Sequence, residues 1–198
     1  RATPNFPAIR LPQFEKEPLP TVMLARLKHP AGAALDDTEA ATIAALEKSK
    51  RLSKLKPGAR VAITCGSRGI QSKPLVVKTT VAWLKKRGYA PFIVPAMGSH
   101  GGAVAEGQVK LLAELGFTPE TMGCGIEATM EVVPLGKTSH GLPVYFDANA
   151  AKADAVIVIN RIKSHTSFDR EVESGLSKMV AIGLGKAQGA RFVHRLGT

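Results

Sequence analysis

The sequence has few cysteines, few aromatic residues and no long apolar run. Two cysteines in 198 residues, Cys65 and Cys124, exclude a scaffold held together by disulfides. No uncharged apolar stretch approaches the ~20 residues that a membrane-spanning helix needs, so we expect no membrane protein. Aromatic residues make up only 5% of the chain, and no stacking platform of the kind that RNA-binding modules use is visible.

Acidic residues are also scarce relative to basic ones. The chain has 27 Lys and Arg against 16 Asp and Glu, a formal net charge of +11. Such an excess indicates an anionic partner, which could be nucleic acid, a phosphorylated cofactor or an acidic substrate. Part of the excess lies in one basic run, which we interpret as a solvated helix face. Its members are Lys48, Lys50, Arg51, Lys54, Lys56 and Arg60.

The composition and the chain ends suggest one domain of a longer polypeptide. Residues 1–56 are predicted to form a proline-rich arm, a strand over 21–27 and a helix that begins at a capping box in 36–39. Residues 57–198 are expected to form an incomplete α/β cofactor-binding domain whose C-terminal partner domain is absent. Because no signal-peptide pattern is visible, the cytoplasm is the expected compartment.

Strand and helix patterns alternate from Pro57 onward. The predicted elements are strands over 60–65, 91–96 and 153–160, helices between Ser72 and Gly88 and over 104–115, a strand within 124–134 and a hairpin strand over 141–146. The apolar run 153–160 is typical of a strand that is buried on both faces. This order predicts a Rossmann-like α/β fold. Its mostly parallel sheet has helices on both faces and a ligand crevice at the carboxyl ends of the strands.

Reactive side chains follow three of the predicted strands. They are Arg68 after the first, His100 after the second, and Arg161, Lys163 and His165 after the last. Arginine suits carboxylate or phosphate, and histidine suits proton transfer near neutral pH. Their convergence therefore predicts an anionic substrate and acid–base chemistry.

Two glycine-rich turns, 66–69 and 98–102, fit anion binding at helix N-termini. Neither turn matches a dinucleotide or Walker pattern, so the anion stays unnamed. No metal-ligand spacing typical of a zinc site occurs. We interpret Cys65 as a small core residue.

The order of four motifs resembles the nickel-dependent lactate racemase family. The motifs are Gly66-Ser-Arg-Gly69, Met97-Gly-Ser-His-Gly-Gly102, Asn160-Arg-Ile-Lys-Ser-His165 and Ser174-Gly-Leu-Ser-Lys178, and His194 follows sixteen residues after the last. The resemblance covers about residues 55–198 and rests on motif order, strand-end placement and the final spacing together.

The resemblance implies a specific chemistry and a role for each site residue. The family carries a nickel-pincer nucleotide, a pyridinium-derived mononucleotide bound covalently to a lysine that corresponds to Lys178. A histidine corresponding to His194 binds the nickel. Residues corresponding to His100 and His165 act as acid and base, and Arg68 corresponds to the arginine that holds the substrate carboxylate. In the family mechanism, hydride passes from substrate to cofactor and returns to the opposite face of a transient 2-keto acid.

Three departures bear on what this chain does. The family has an aspartate near the start of the arginine turn, where this chain has Cys65 or Gly66, and the loop from His165 to Lys178 is longer here. The family's C-terminal domain is also missing. We therefore predict a homologue that acts on a longer or branched 2-hydroxy acid. The isolated chain need not be active or carry cofactor.

The leading hypothesis is an isomerase, a racemase or epimerase of a 2-hydroxy acid. Its partners would be the substrate, the proteins that make the cofactor and the C-terminal domain of the same polypeptide, with no membrane and no nucleic acid. The alternatives are a non-catalytic basic α/β module that binds nucleotides or nucleic acid, and a hydrolase or lyase that uses His100 and His165.

Overall fold

The computed structural model describes Met23 and residues 35–163 and 174–195. The predicted arm and the strand predicted over 21–27 lie outside the described residues, apart from Met23. The helices are α1 Thr38–Glu47, α2 Lys73–Lys86, α3 Ala105–Glu114, α4 Pro119–Met122, α5 Gly175–Lys178 and α6 Lys186–Arg195, with a π-helix at Met179–Leu184 and 3-10 turns at Leu52–Lys54, Gly101–Ala103 and Ala150–Lys152. The strands are β1 Arg60–Cys65, β2 Ala90–Pro95, β3 Val132–Lys137, β4 Pro143–Asp147 and β5 Ala155–Ile157.

The central sheet has the order β2-β1-β5, and both pairings are parallel. Cys65 lies opposite Pro95, and Ile63 lies opposite Ile157. The register therefore brings the carboxyl ends of all three strands to one edge. This confirms the predicted α/β fold and the edge at which we expected the crevice.

One face of the sheet is covered by the helices that follow β1 and β2. Val77, Val81 and Leu84 of α2 are almost completely buried, as their spacing along the helix predicts. They pack in one core with Ile63 of β1 and Leu112 of α3. Burial of this apolar face stabilises the sheet from one side.

The opposite face is covered by the C-terminal helical segment and by an antiparallel hairpin. Ala62 and Val94 of the sheet pack against Met179 and Leu184 of the π-helix. The hairpin formed by β3 and β4 joins this layer through Tyr145, whose ring stacks on Phe192 of α6 at a centroid distance of 5.6 Å. Helical layers thus lie on both faces of the sheet, as expected.

Two elements differ from the sequence prediction. The strand expected over 153–160 extends only over β5, and residues 155–160 are half-buried rather than buried on both faces. Within the described residues β5 pairs only with β1, and a cavity of about 990 Å³ lies between β5, α1 and α2. The strand expected within 124–134 is reduced, in the sheet, to one bridge from Ile126 to Ile93.

The longest described helix is α2, with 14 residues. Among the described helices, none has the length and apolar character required to cross a membrane.

Candidate functional site

A cavity of about 570 Å³ opens at the carboxyl edge of the sheet. Its walls come from the turns after β1, β2 and β5 and from the segment α5 to π-helix. The cationic side chains and the histidine that line it are Arg68, Lys73, His100, Arg161, Lys163 and Lys178. None of the described lining residues is an Asp or a Glu. The arrangement favours an anionic ligand.

His100 is held by a hydrogen bond from one turn to the next. Its Nδ1 lies 2.5 Å from the Oγ of Ser67, which belongs to the turn after β1. When Nδ1 carries the proton and donates it to Ser67, the other ring nitrogen, Nε2, has a free lone pair. This tautomer is the one that a proton acceptor requires.

The surroundings of His100 favour its neutral form. Partial burial lowers its pKa below the ordinary value of 6.5, and the positive charges of Arg68 and Lys178 lower it further. At neutral pH the ring is therefore uncharged and can accept a proton. Arg68, His100 and Lys178 all line the same cavity.

Helix α3 holds the turn that carries His100 in place through Gln108. Gln108 is completely buried, and its Nε2 donates to the carbonyl oxygens of Gly98 (2.9 Å) and His100 (3.2 Å). Gly101 has a φ of +67°, and a Cβ there would lie 2.6 Å from the backbone of Gly107. The turn therefore requires glycine both for its conformation and for its contact with α3.

A buried ion pair connects this turn to α6. Lys186 is fully buried, and its Nζ donates to the carbonyl oxygen of Pro95 at 2.5 Å and to Gln108 Oε1 at 3.3 Å. The same Nζ lies 2.9 Å from Asp147 Oδ2, which is within ion-pair distance but lacks the angles of a hydrogen bond. Asp147 Oδ1 accepts from the backbone amides of Asn149 and Ala150, both at 2.8 Å. Ends of β2 and β4 are thus tied to the start of α6.

Lys178 reaches the cavity from a segment that lies close to the sheet. It is the last residue of α5 and is followed directly by the π-helix. A Cβ on Gly183 of the π-helix would lie 2.7 Å from the carbonyl oxygen of Ala96. The Gly183 carbonyl in turn accepts from the Gly98 amide at 3.2 Å. The absence of a side chain on Gly183 allows this close approach.

The structure brings three of the five residues predicted from the sequence to one cavity: Arg68, His100 and Lys178. His165 lies outside the described residues. His194 is exposed near the end of α6 and is not among the described residues that line the cavity. The roles assigned to all five remain predictions.

Three residues of the site were not predicted from the sequence. Ser67 orients His100, Asn160 donates from its side-chain nitrogen to the carbonyl of Gly175 at 3.0 Å, and Lys73 lines the cavity. Ser67 and Asn160 were inside quoted motifs, so their placement at strand ends was the available signal. Lys73 begins α2, a position where a lysine ordinarily faces solvent.

The other features singled out in the sequence lie apart from this chemistry. Burial raises the pKa of Cys65 to about 12, as expected for a core thiol. Among the described residues, no three His, Cys, Asp or Glu side chains cluster in a way that could hold a metal. In the basic run 48–60, Arg60 bonds to Glu127 at 2.6 Å and the other five cations are exposed, as on a solvated face.

The chain was compared with models of known protein families. A model of the lactate racemase N-terminal domain matches residues 14–197. The chain belongs to the lactate racemase N-terminal domain family. A comparison with curated proteins gave no match. As a lactate racemase N-terminal domain, the chain is related to an isomerase, and the matched range includes the whole described cavity.

Proposed function

We propose that this domain takes part in the racemisation or epimerisation of a 2-hydroxy acid. One observation carries the proposal. Arg68, His100 and Lys178 line one cavity at the carboxyl edge of a parallel sheet. The cavity thereby combines a carboxylate receptor, a proton acceptor and a lysine that can carry a cofactor. The C-terminal domain of the same polypeptide and the proteins that make the cofactor are the proposed partners, and the cytoplasm is the proposed compartment.

The positive charge of the described lining residues is compatible with a nickel-pincer nucleotide, which carries a phosphate. The cationic lining without a described carboxylate suits a group that bears a phosphate, and Lys178 stands at the cavity wall as the point of covalent attachment. His194 is the proposed nickel ligand. When bound, the group supplies the acceptor and donor of hydride, chemistry that no protein side chain provides.

The chain's own residues would bind the substrate and move its proton. Arg68 pairs with the carboxylate of the 2-hydroxy acid through its planar guanidinium. His100, neutral and oriented by Ser67, accepts the proton of the 2-hydroxyl, and the second histidine reprotonates the product. His165 is the proposed partner on the other face, since inversion at C2 needs a proton acceptor on each side.

Mass and metal analysis of the chain, produced together with the cofactor-making proteins, tests the proposal. We expect one covalent adduct on Lys178 and one equivalent of nickel. Lys178→Ala should lose the adduct, whereas Lys163→Ala, which removes another lysine from the same cavity, should retain it. An unmodified Lys178 under these conditions would refute the proposed cofactor, and turnover that survives Lys178→Ala would favour a hydrolase or lyase.

A further inference from the structure

Lys73 is a buried cation without an acidic partner. It is only 3% exposed, yet among the described residues no hydrogen bond or ion pair reaches its Nζ. The structure gives that nitrogen two neighbours, the ring face of Phe117 at 5.6 Å from the centroid and the buried thiol of Cys65, which is uncharged at neutral pH because burial raises its pKa to about 12. A contact at that distance compensates little of the solvation that a buried ammonium loses.

The nitrogen of Lys73 is nevertheless not sealed inside the core. The described side-chain atoms that are fully enclosed and make no hydrogen bond are Trp83 Nε1 and Asp147 Oδ2, and Lys73 Nζ is not one of them. Lys73 also lines the 570 Å³ cavity. The Nζ therefore has a path to the cavity while most of the side chain is buried.

The neighbourhood of Lys73 is suited to a doubly charged anion. Lys73 stands in the first turn of α2, a 14-residue helix whose dipole is positive at that end. In the preceding turn, no backbone amide of residues 67–71 donates a hydrogen bond to a described residue. With five cations in the lining, a substrate carrying one carboxylate leaves most of the positive charge of the cavity uncompensated.

We propose that Lys73, together with the start of α2, forms a phosphate subsite at the floor of this cavity, which takes a phosphate monoester. The ester could belong to a mononucleotide cofactor or to a phosphorylated 2-hydroxy acid. The subsite rests on the proposed function because both use the same cavity. Burial lowers the pKa of Lys73, and a bound phosphate would restore the charged form.

A stability measurement separates a binding lysine from a structural one. If Lys73 is kept for a ligand, replacing its unpaired ammonium by an apolar chain of similar length should stabilise the cofactor-free chain. We expect Lys73→Met to raise the Tm by about 2–4 °C. The control is Lys78→Met, an exposed lysine on the same helix, which should leave the Tm unchanged. A fall in Tm for Lys73→Met would assign the lysine to the core and overturn the proposal.

Binding of inorganic phosphate to the 198-residue chain, measured by titration calorimetry, completes the test. The affinity should fall at least ~10-fold in Lys73→Met and stay constant in Lys78→Met; equal affinity in both variants would overturn the subsite. Nicotinate mononucleotide and 3-phosphoglycerate distinguish the two sources, because the correct ester should bind more tightly than phosphate and lose that advantage in Lys73→Met. The adduct on Lys178 is read separately by mass, so loss of the subsite and loss of the proposed function give different results.

Discussion

The Oγ of Ser67 and the Nδ1 of His100 are 2.5 Å apart, and this contact joins the turns that follow two neighbouring strands. It fixes the ring of the proposed proton acceptor from outside its own loop. A hydrogen bond to one ring nitrogen decides which tautomer the other nitrogen presents to a ligand.

Replacing Ser67 by alanine should therefore impair proton transfer more than substrate binding. In the cofactor-loaded enzyme we expect Ser67→Ala to lower kcat about 10-fold with little change in KM, since Arg68 still holds the carboxylate. Ser99→Ala, on an exposed serine next to His100, is the matched control. An equal loss in both variants, or a loss confined to KM, would contradict the orienting role.

The charges beside His100 make its titration sensitive to Arg68. Removing one positive neighbour in Arg68→Gln should raise the pKa of His100, which NMR of the ring protons can follow. Arg87→Gln removes a cation that stacks on Trp83 instead, and should not move the His100 titration. An unchanged pKa in Arg68→Gln would place Arg68 outside interaction range.

The same lowered pKa has a consequence for stability. Native His100 binds a proton more weakly than the unfolded chain, whose value is about 6.5. The free energy of unfolding should therefore decrease as the pH falls below about 6.5 and level off below the native pKa. In Arg68→Gln this pH-dependent decrease should be smaller, which urea unfolding at pH 5 and pH 7.5 can measure.

The buried pair of Lys186 and Asp147 should respond asymmetrically to substitution. Lys186→Met leaves a buried carboxylate without its cation and should cost about 3–5 kcal/mol. Adding Asp147→Asn removes that charge but keeps an oxygen for the two backbone amides, so the double variant should recover much of the loss. Breaking the exposed pair of Glu47 and Arg87 by Glu47→Gln should cost under ~1 kcal/mol. If the losses in free energy of unfolding for Lys186→Met and Asp147→Asn, measured in urea, simply add in the double variant, the two side chains are not coupled.

The close approach of the π-helix to the sheet predicts a strong effect at Gly183. A methyl group there would collide with the Ala96 carbonyl, so Gly183→Ala should lower the free energy of unfolding by about 1–3 kcal/mol. Because the helix must move away, Lys178 should also be modified less completely. Gly125→Ala, where a Cβ meets nothing within 4 Å, should be tolerated. Equal free energies of unfolding for the two variants would mean that the backbone near Gly183 can shift to accommodate a methyl group, which would contradict the prediction.

The sequence was sufficient where local patterns and tertiary structure agree. The apolar residues of β1 and the helical spacing of Val77, Val81 and Leu84 predicted elements that the structure contains. The parallel strand order then predicts that Arg68 and His100 lie at the same edge of the sheet, where the structure has them. Such inferences need only periodicity and the rule that strand ends carry the site.

The features that escaped prediction depend on long-range contacts. β5 is shorter than its apolar run because strand length depends on pairing with neighbours, and the run shows only hydrophobicity. Lys186 sits in an ordinary lysine context, and its burial follows from contacts with Pro95 and Gln108, 91 and 78 residues away. Lys73 was overlooked for the same reason, because nothing local marks a buried ammonium.

The contacts of Lys186 also bear on the order of folding. Its ammonium can meet Pro95, Gln108 and Asp147 only when β2, α3, the end of β4 and α6 are in place, so we expect this ion pair to form late in folding. Interactions that form after the transition state change the unfolding rate and leave the refolding rate nearly unchanged. We therefore expect the Lys186–Asp147 pair to slow unfolding of the domain while leaving its refolding rate nearly unchanged.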